Sequence, residues 1–550
     1  MPDGTPQTLR PFLWRAANLY PDREVVARTA GGTTRYDYSE MADRTARLAG
    51  ALADAGLVGE RVGTFCWNHH RHFETYFGAP GVGAQLHTIN PLLPDEHIQY
   101  IVENAADGLL FVDPSLAEKL AGAHDPDAFA SVEQFVVMGE SVPEVPFGPV
   151  TDYESFIEGY ATDYDWPSLS GDRPAGLCYT SGTTGKPKGV EYTQRMLWAH
   201  TMALQTPQGI PVADDDVVMP VVPMFHVNAW GMPYAMTAGG AKHVYPGPAP
   251  EPADLAALIK EEGVTLAAGV PTVWIGLLEY VEDNDIDLST LDRLVVGGAA
   301  APRSLFEGFD RHGVDLVHAW GMTETSPVGT VAHLKSDLED ADAETRIEKR
   351  LTQGLVVPGL EFRVVDDEGT EVPWDGEAFG ELLVRGPWVT TEYFARPDAS
   401  EESFEGDWLR TGDIVTVDGD GYVKVVDRTK DVVKSGGEWI SSQELENTVM
   451  THEDVIEAAV IGVPHERWQE RPVAVVVPAE GADLETLAAE CADLVRAEYP
   501  DWWVPDDFLR IEEIPRTATG KFDKKRLRER FGADAVEGEA PAEAAPEDAE

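Results

Sequence analysis

The chain has 550 residues, 43% of them hydrophobic, enough for more than one packed core and too many for one ordinary domain. Asp and Glu number 97 against 42 Lys and Arg, and the resulting formal charge of -55 disfavours nucleic-acid binding. Three cysteines without CxxC spacing, Cys66, Cys178 and Cys491, argue against a disulfide framework or a cysteine-rich zinc site and read as buried thiols.

No apolar run approaches the roughly 20 residues that span a bilayer, and the first twenty residues lack a signal peptide's pattern, so a cytoplasmic protein is expected. So large a negative surplus strains a folded chain in dilute salt, whereas at about 1 M salt the Debye length falls to about 3 Å. A salt-loving source is the expectation.

Along the chain, Met41, Leu48, Ala49 and Leu52 share a helical face that ends near Gly56, and a strand-like run, Arg61 to Cys66, follows. The alternation returns with a helix over Leu255 to Glu262 and a strand over Val264 to Gly269. A strand, helix, strand series follows over Leu291 to Val296, Pro302 to His312 and Val314 to Ala319. This pattern predicts an α/β layered architecture.

Between about Gly354 and Lys424, short β-like runs such as Glu361 to Val365 and Gly380 to Arg385 are separated by Gly, Pro and Asp turns, which predicts a β-rich subdomain. After Asp427 a compact α+β unit is expected. Its helices fall at Ser441 to Thr451 and Leu484 to Arg496, its strands at Val455 to Val463 and Arg471 to Pro478. The predicted organisation is a large N-terminal α/β domain over 1–426, a hinge over 427–430, a small mobile domain over 431–531 and a disordered acidic tail over 532–550. That tail is Ala, Glu and Pro with almost no large apolar residue, so burial cannot offset its ordering entropy.

The strongest local signal is the run Tyr179, Thr180, Ser181, Gly182, Thr183, Thr184, Gly185, Lys186, Pro187, Lys188, Gly189, which follows a strand-like segment. Glycines let backbone N–H groups converge on phosphate oxygens, and hydroxyls and ammonium groups add donors and positive charge. The loop reads as a polyphosphate holder; its bland alternative is a surface turn. It lacks GxxxxGK[ST] spacing, and Val190 to Thr193 look extended, so P-loop geometry does not apply.

This loop resembles the signature of the adenylate-forming superfamily of acyl-CoA synthetases, peptide-synthetase adenylation domains and luciferases. Further matches follow in order: Met224-Phe225-His226, Gly297-Gly298-Ala299-Ala300, Trp320-Gly321-Met322-Thr323-Glu324, Trp408 to Asp413, Asp427-Arg428-Thr429-Lys430-Asp431, and Pro515 to Lys521. The resemblance covers nearly the whole chain and implies ATP, Mg2+ and coenzyme A as reactants.

The resemblance also implies roles. A carboxylate attacking the α-phosphorus of ATP approaches a like-charged centre, so positioned cations must meet the developing charge. Lys521 matches the family's catalytic lysine, Glu324 its magnesium carboxylate, and Thr180 a hydroxyl on the same ion. Asp413 matches the carboxylate that accepts from the ribose hydroxyls, with Arg428 a second ribose or phosphate contact. Gly298, His318, Ala319, Trp320 and Gly321 shape the adenine slot beside Thr323. Where the superfamily more often has tyrosine, Trp320 keeps the stacking surface but its indole N–H cannot accept a hydrogen bond. Lys430 matches the hinge position, and Lys434 and Trp439 lie on the small domain's nucleotide-facing side.

The apolar stretch Val221 to Gly231 is similar to the acyl pocket of the medium- and long-chain fatty-acid branch, with His226 and Val227 lining it and Trp230 as a tunnel gate. The same branch implies a homodimer. A short, branched or sulfur-containing acid is the alternative substrate, and a carrier protein the alternative acceptor. A silent acyl- or nucleotide-binding sensor would be the non-enzyme reading. Cys66, His69, His70 and His72 fit no complete zinc set, and no metal is assigned there.

Overall fold

A computed structural model describes residues 7–29, 31–140, 142, 148–180, 186–436, 438–465, 467–479, 481–516 and 522–531. The loop residues 181–185, Lys521 and the acidic tail 532–550 lie outside the described residues. The chain forms two compact units: one of Met1–Phe362, Val384–Arg410 and Asp420–Val423, the other of Arg363–Leu383, Thr411–Gly419 and Lys424–Glu550.

In the first unit two sheets carry the architecture. The seven-stranded sheet runs Val150–Asp152, Gln134–Val137, Leu109–Val112, Arg61–Phe65, Gln85–Thr88, Pro174–Tyr179, Gly189–Thr193, and only the last pair is antiparallel. Strands Gln85–Thr88 and Leu109–Val112 are buried along their whole length, the mark of a sheet covered on both faces. Helix Tyr38–Asp54 buries the expected face, Met41, Leu48, Ala49 and Leu52, and packs on helix His70–Val82, and the Asp37 carboxylate caps its start by accepting from the Glu40 N–H.

The nine-stranded sheet runs Leu355–Val356, Val328–Val331, Asp315–Gly321, Arg293–Gly297, Leu266–Gly269, Val217–Pro220, Lys242–Tyr245, Glu24–Thr29, Gly32–Asp37. Its interior pairs are parallel and its two edges antiparallel. A core of Trp274, Leu277, Phe306, Phe309 and neighbouring aliphatic residues fills the space between this sheet and its helices. Each such side chain contributes about 1.5–3 kcal/mol by leaving water.

The second unit contains the β-like runs Glu361–Val365 and Gly380–Arg385 over most of their length, each with the bounds read from sequence. Within this unit, the Thr411 hydroxyl donates to the Leu382 carbonyl (2.7 Å), and the Gly376 N–H donates to Val417 (2.9 Å). Its small-domain sheet runs Glu438–Ile440, Val433–Ser435, Gln469–Pro478, Val455–His465, with Asp507–Arg510 parallel to Gln469–Pro478. Period-two alternation splits the strand Val455–His465 between two cores. Ala458 and Val460 pack with Leu445, Val449 and Leu487, while Ala459, Ile461 and Val463 pack with Ile514, Leu527 and Phe531. No described helix is long and apolar enough to cross a membrane, and all three cysteines are buried and free.

Candidate active site

The phosphate-loop motif is the connection of a hairpin. Strand Pro174–Tyr179 pairs antiparallel with Gly189–Thr193, which is the extended run expected after the loop. Its neck is clasped twice: the Thr180 N–H donates to the Lys188 carbonyl (2.9 Å), and the Lys188 N–H donates to Thr180 Oγ1 (3.1 Å). Both described loop lysines rest on aromatic faces, Lys186 Nζ 4.5 Å from the Tyr100 ring centre and Lys188 Nζ 4.5 Å from that of Tyr393. Below the neck, Tyr179 donates to Asn104 Oδ1 (2.7 Å), and its ring lies 5.1 Å from His87, itself bonded to the buried Asp107 carboxylate at 2.8 Å.

Strand Asp315–Gly321 leads through a bulge at Trp320 and Gly321 into the short 3-10 turn Thr323–Thr325, which carries Glu324. Glu324 is 5% exposed. Its Oε1 accepts from the Tyr393 hydroxyl (2.6 Å), its carbonyl from the Thr390 N–H (2.9 Å), and the neighbouring Thr323 carbonyl from the Tyr192 hydroxyl (2.7 Å). Glu324 and Thr180 are both hard oxygen donors, and the Thr180 hydroxyl accepts only a backbone N–H among its described bonds, a donor set that fits a magnesium ion shared with phosphate oxygens.

Around the expected adenine slot, His318 is buried between the carbonyls of Leu351 (3.2 Å from Nδ1) and Ala299 (3.4 Å from Nε2), and burial pushes its proton affinity down. Its ring ties down the backbone next to Gly298. Ala319 and Trp320 are buried, and the indole of Trp320 fills the space where a Cβ on Gly329 would stand, at 2.4 Å. A larger residue at 329 would collide with the ring that replaces the usual tyrosine.

The acyl-pocket stretch takes an unexpected backbone. Val227, Asn228, Ala229 and Trp230 all have positive φ (46°, 53°, 46° and 58°), followed by Gly231 at 74°: a left-handed turn that costs about 1–2 kcal/mol per non-glycine residue. Gly231 has a second reason to be glycine, since a Cβ there would lie 2.7 Å from the His200 ring, whose Nε2 accepts from the Val328 N–H (3.2 Å). The Trp230 indole reaches within 3.2 Å of a Cβ position on Gly297, so it faces the Gly297–Ala300 segment. His226 is half-buried and Val227 buried beside it.

The remaining predicted residues belong to the second unit. Asp413, its side chain 1% exposed, pairs with Arg428 Nε at 2.7 Å. The Lys434 ammonium lies 5.3 Å from the Trp439 ring centre and 3.5 Å from Asp367. On either side of Lys430 the acidic residues are gripped. Asp427 accepts from the N–H and hydroxyl of Ser442 (both 2.6 Å), and Asp431 pairs with Arg528 (2.9 Å). Lys524 bonds the same Ser442 hydroxyl and Glu446, both at 2.6 Å. The sequence alone does not single out Tyr393, Tyr192, Tyr100, His200, Glu446 or Lys524.

The Cys66 and histidine group has structural duties. His72 uses both ring nitrogens, on Trp67 O (2.9 Å) and Thr64 Oγ1 (3.0 Å), and His69 Nδ1 accepts the His72 N–H at the start of its helix. Among the described residues no three metal-ligating side chains gather.

The family model described as AMP-binding enzyme matches residues 13–394, and that of the AMP-binding enzyme C-terminal domain matches 444–521. The chain is 46% identical to a long-chain-fatty-acid–CoA ligase of Thermus thermophilus over 94% of this chain and 95% of that one. It is 42% identical to a 3-methylmercaptopropionyl-CoA ligase of Ruegeria lacuscaerulensis over 97% and 98%. The crystal structure of the anthranilate CoA ligase AuaEII in complex with anthranoyl-AMP superposes with a TM-score of 0.83 at 25% identity, covering 97% of this chain and 99% of that one. On the match of its loop, its Glu324 turn and both family models, this chain belongs to the family of AMP-binding enzymes that form adenylates.

Proposed function

We propose that the protein is an ATP-dependent, AMP-forming fatty-acid–CoA ligase. The acid's carboxylate oxygen attacks the α-phosphorus of ATP, pyrophosphate leaves, and the thiol of coenzyme A then displaces AMP from the acyl-adenylate. The observation that carries this reading is the meeting of Lys188, Tyr393 and Glu324, a phosphate-loop neck set against a buried carboxylate.

In this reading Thr180, Ser181, Gly182, Thr183, Thr184, Gly185, Lys186 and Lys188 hold the phosphates, and Lys521 meets charge developing between carboxylate and α-phosphate. Magnesium, held by Glu324 and Thr180, neutralises phosphate charge when bound. Asp413 and Arg428 take the ribose, and Gly298, His318, Ala319, Trp320, Gly321 and Thr323 the base, with Lys434 and Trp439 nearby. His226, Val227 and Trp230 line the acyl pocket. Lys430 is the hinge at which the small domain, 431–531, turns between half-reactions relative to 1–426. The protein works in the cytoplasm, as a homodimer, and its charge of -55 suits a salt-rich cell.

A second reading, a short sulfur-containing acid, is favoured by the 42% identity to the Ruegeria ligase. The test is ATP–pyrophosphate exchange and CoA-thioester formation over straight-chain acids from acetate to stearate plus 3-methylmercaptopropionate, in dilute buffer and in about 2 M KCl. The highest kcat/KM is expected for medium or long chains, in high salt. A preference for the sulfur acid would replace the fatty-acid reading, and adenylation without CoA-stimulated AMP release would replace the ligase reading.

A further inference from the structure

Tyr393 lies 69 residues after Glu324, yet its hydroxyl donates to Glu324 Oε1 at 2.6 Å. Several contacts fix the phenol. The Tyr393 N–H donates to Ser400 Oγ (2.9 Å), the ring packs against Phe404 with centroids 5.7 Å apart, and the next residue's N–H donates to the Gly189 carbonyl (2.8 Å). That last bond joins the segment to the strand leaving the phosphate loop. The face of the same ring carries the Lys188 ammonium.

From this geometry we infer that Tyr393 is a positioning residue for the reaction: its hydroxyl sets the orientation of the Glu324 carboxylate toward the metal, and its ring face holds Lys188 at the phosphate loop. One rigid side chain thereby ties the metal's carboxylate to a phosphate-binding cation. Outer-shell hydrogen bonds of this kind orient a ligating oxygen, and their loss typically weakens metal binding about 10–100-fold. The inference rests on the reading of Glu324 as the magnesium ligand.

The test is Mn2+ binding to full-length enzyme holding α,β-methylene-ATP, measured by electron paramagnetic resonance, beside the Mg2+ dependence of ATP–pyrophosphate exchange. Tyr393→Phe keeps the ring and removes the hydroxyl. It is expected to weaken Mn2+ binding about 10-fold and to raise half-saturating Mg2+ in proportion, with ATP KM at saturating metal held within about threefold. Tyr393→Leu, which also removes the ring, is expected to raise the ATP KM as well. Unchanged Mn2+ affinity in Tyr393→Phe, with Glu324→Gln abolishing it, overturns the role of Tyr393 alone; unchanged affinity in Glu324→Gln overturns the metal reading beneath it. Should Tyr393→Phe fold poorly, Tyr393→Leu is read in the same Mn2+ assay, and wild-type affinity in whichever variant folds refutes the inference.

Discussion

The two units hold their chemistry by different means. Around Glu324 buried phenols act as neutral donors: Tyr393 to the carboxylate, Tyr192 to the Thr323 carbonyl, and Tyr76 to the Met224 carbonyl at 2.5 Å beside the acyl stretch. Around Lys430 they are ion pairs and charged hydrogen bonds, in which Asp427, Ser442, Glu446 and Lys524 form one chain and Asp431 and Arg528 another. A phenol fixed by its ring gives one orientation and little response to salt, which suits the metal role proposed for Glu324. Charged groups shared among several partners can exchange them, which suits the hinge proposed at Lys430.

The largest effect tests which unit supplies the essential cation. Lys521→Ala is expected to lower adenylation about 1,000-fold while thioester formation from supplied acyl-adenylate stays within a few-fold, both read by single-turnover quench. Equal loss in the two half-reactions would put the lysine's role in folding. Next comes the ion network itself. Lys524→Met leaves the buried carboxylates of Glu446 and Asp427 without their cation, and a destabilisation of the small unit by about 3–5 kcal/mol is expected in urea unfolding. A loss below 1 kcal/mol would mean that the carboxylates simply protonate.

Lys430→Pro addresses motion rather than stability. Adenylation is expected to persist within about threefold while thioester formation slows about 100-fold, because proline fixes φ and the proposed hinge must change its torsions between half-reactions. If both half-reactions keep their rates, the turning point lies elsewhere in 427–431.

Much of the fold and the motif residues of the site are legible in the sequence, though unevenly. The runs Glu361–Val365 and Gly380–Arg385 were readable because alternation and flanking turns coincide there, and the loop neck because Thr, Gly and Lys crowd one segment. Tyr393 and Tyr192 are not, since they act on residues 69 and 131 positions away, and nothing beside them in the sequence marks a distant partner. The left-handed turn at Val227–Trp230 was unreadable for the opposite reason. Val and Ala disfavour that conformation, so only surrounding packing, including the His200 ring against Gly231, selects it. Lys524 sits in a run of basic residues, and only the fold brings Glu446 and Ser442 to it.

The effect that is smallest per residue separates the units by acid. His72, His200 and His243, all in the first unit, are held neutral by burial, with proton affinities pushed down to about 3. Between the ordinary value near 6.5 and about 3, the unfolded chain binds protons that the folded chain refuses, so stability falls as pH falls. At about pH 5 each histidine costs about 2 kcal/mol relative to neutral pH. In the second unit the signs reverse for Asp427 and Glu446. Burial raises both, so the folded state binds their protons first and gains stability as pH falls toward their ordinary range. Hydrogen exchange of the whole chain at about pH 5 and about pH 7.5, corrected for intrinsic rates, is expected to show the first unit losing protection while the helix Ser442–Val449 keeps its own. Uniform loss across both units would mean that they unfold as one, and the contrast between phenol-held and ion-held regions would then describe local geometry without separate stabilities.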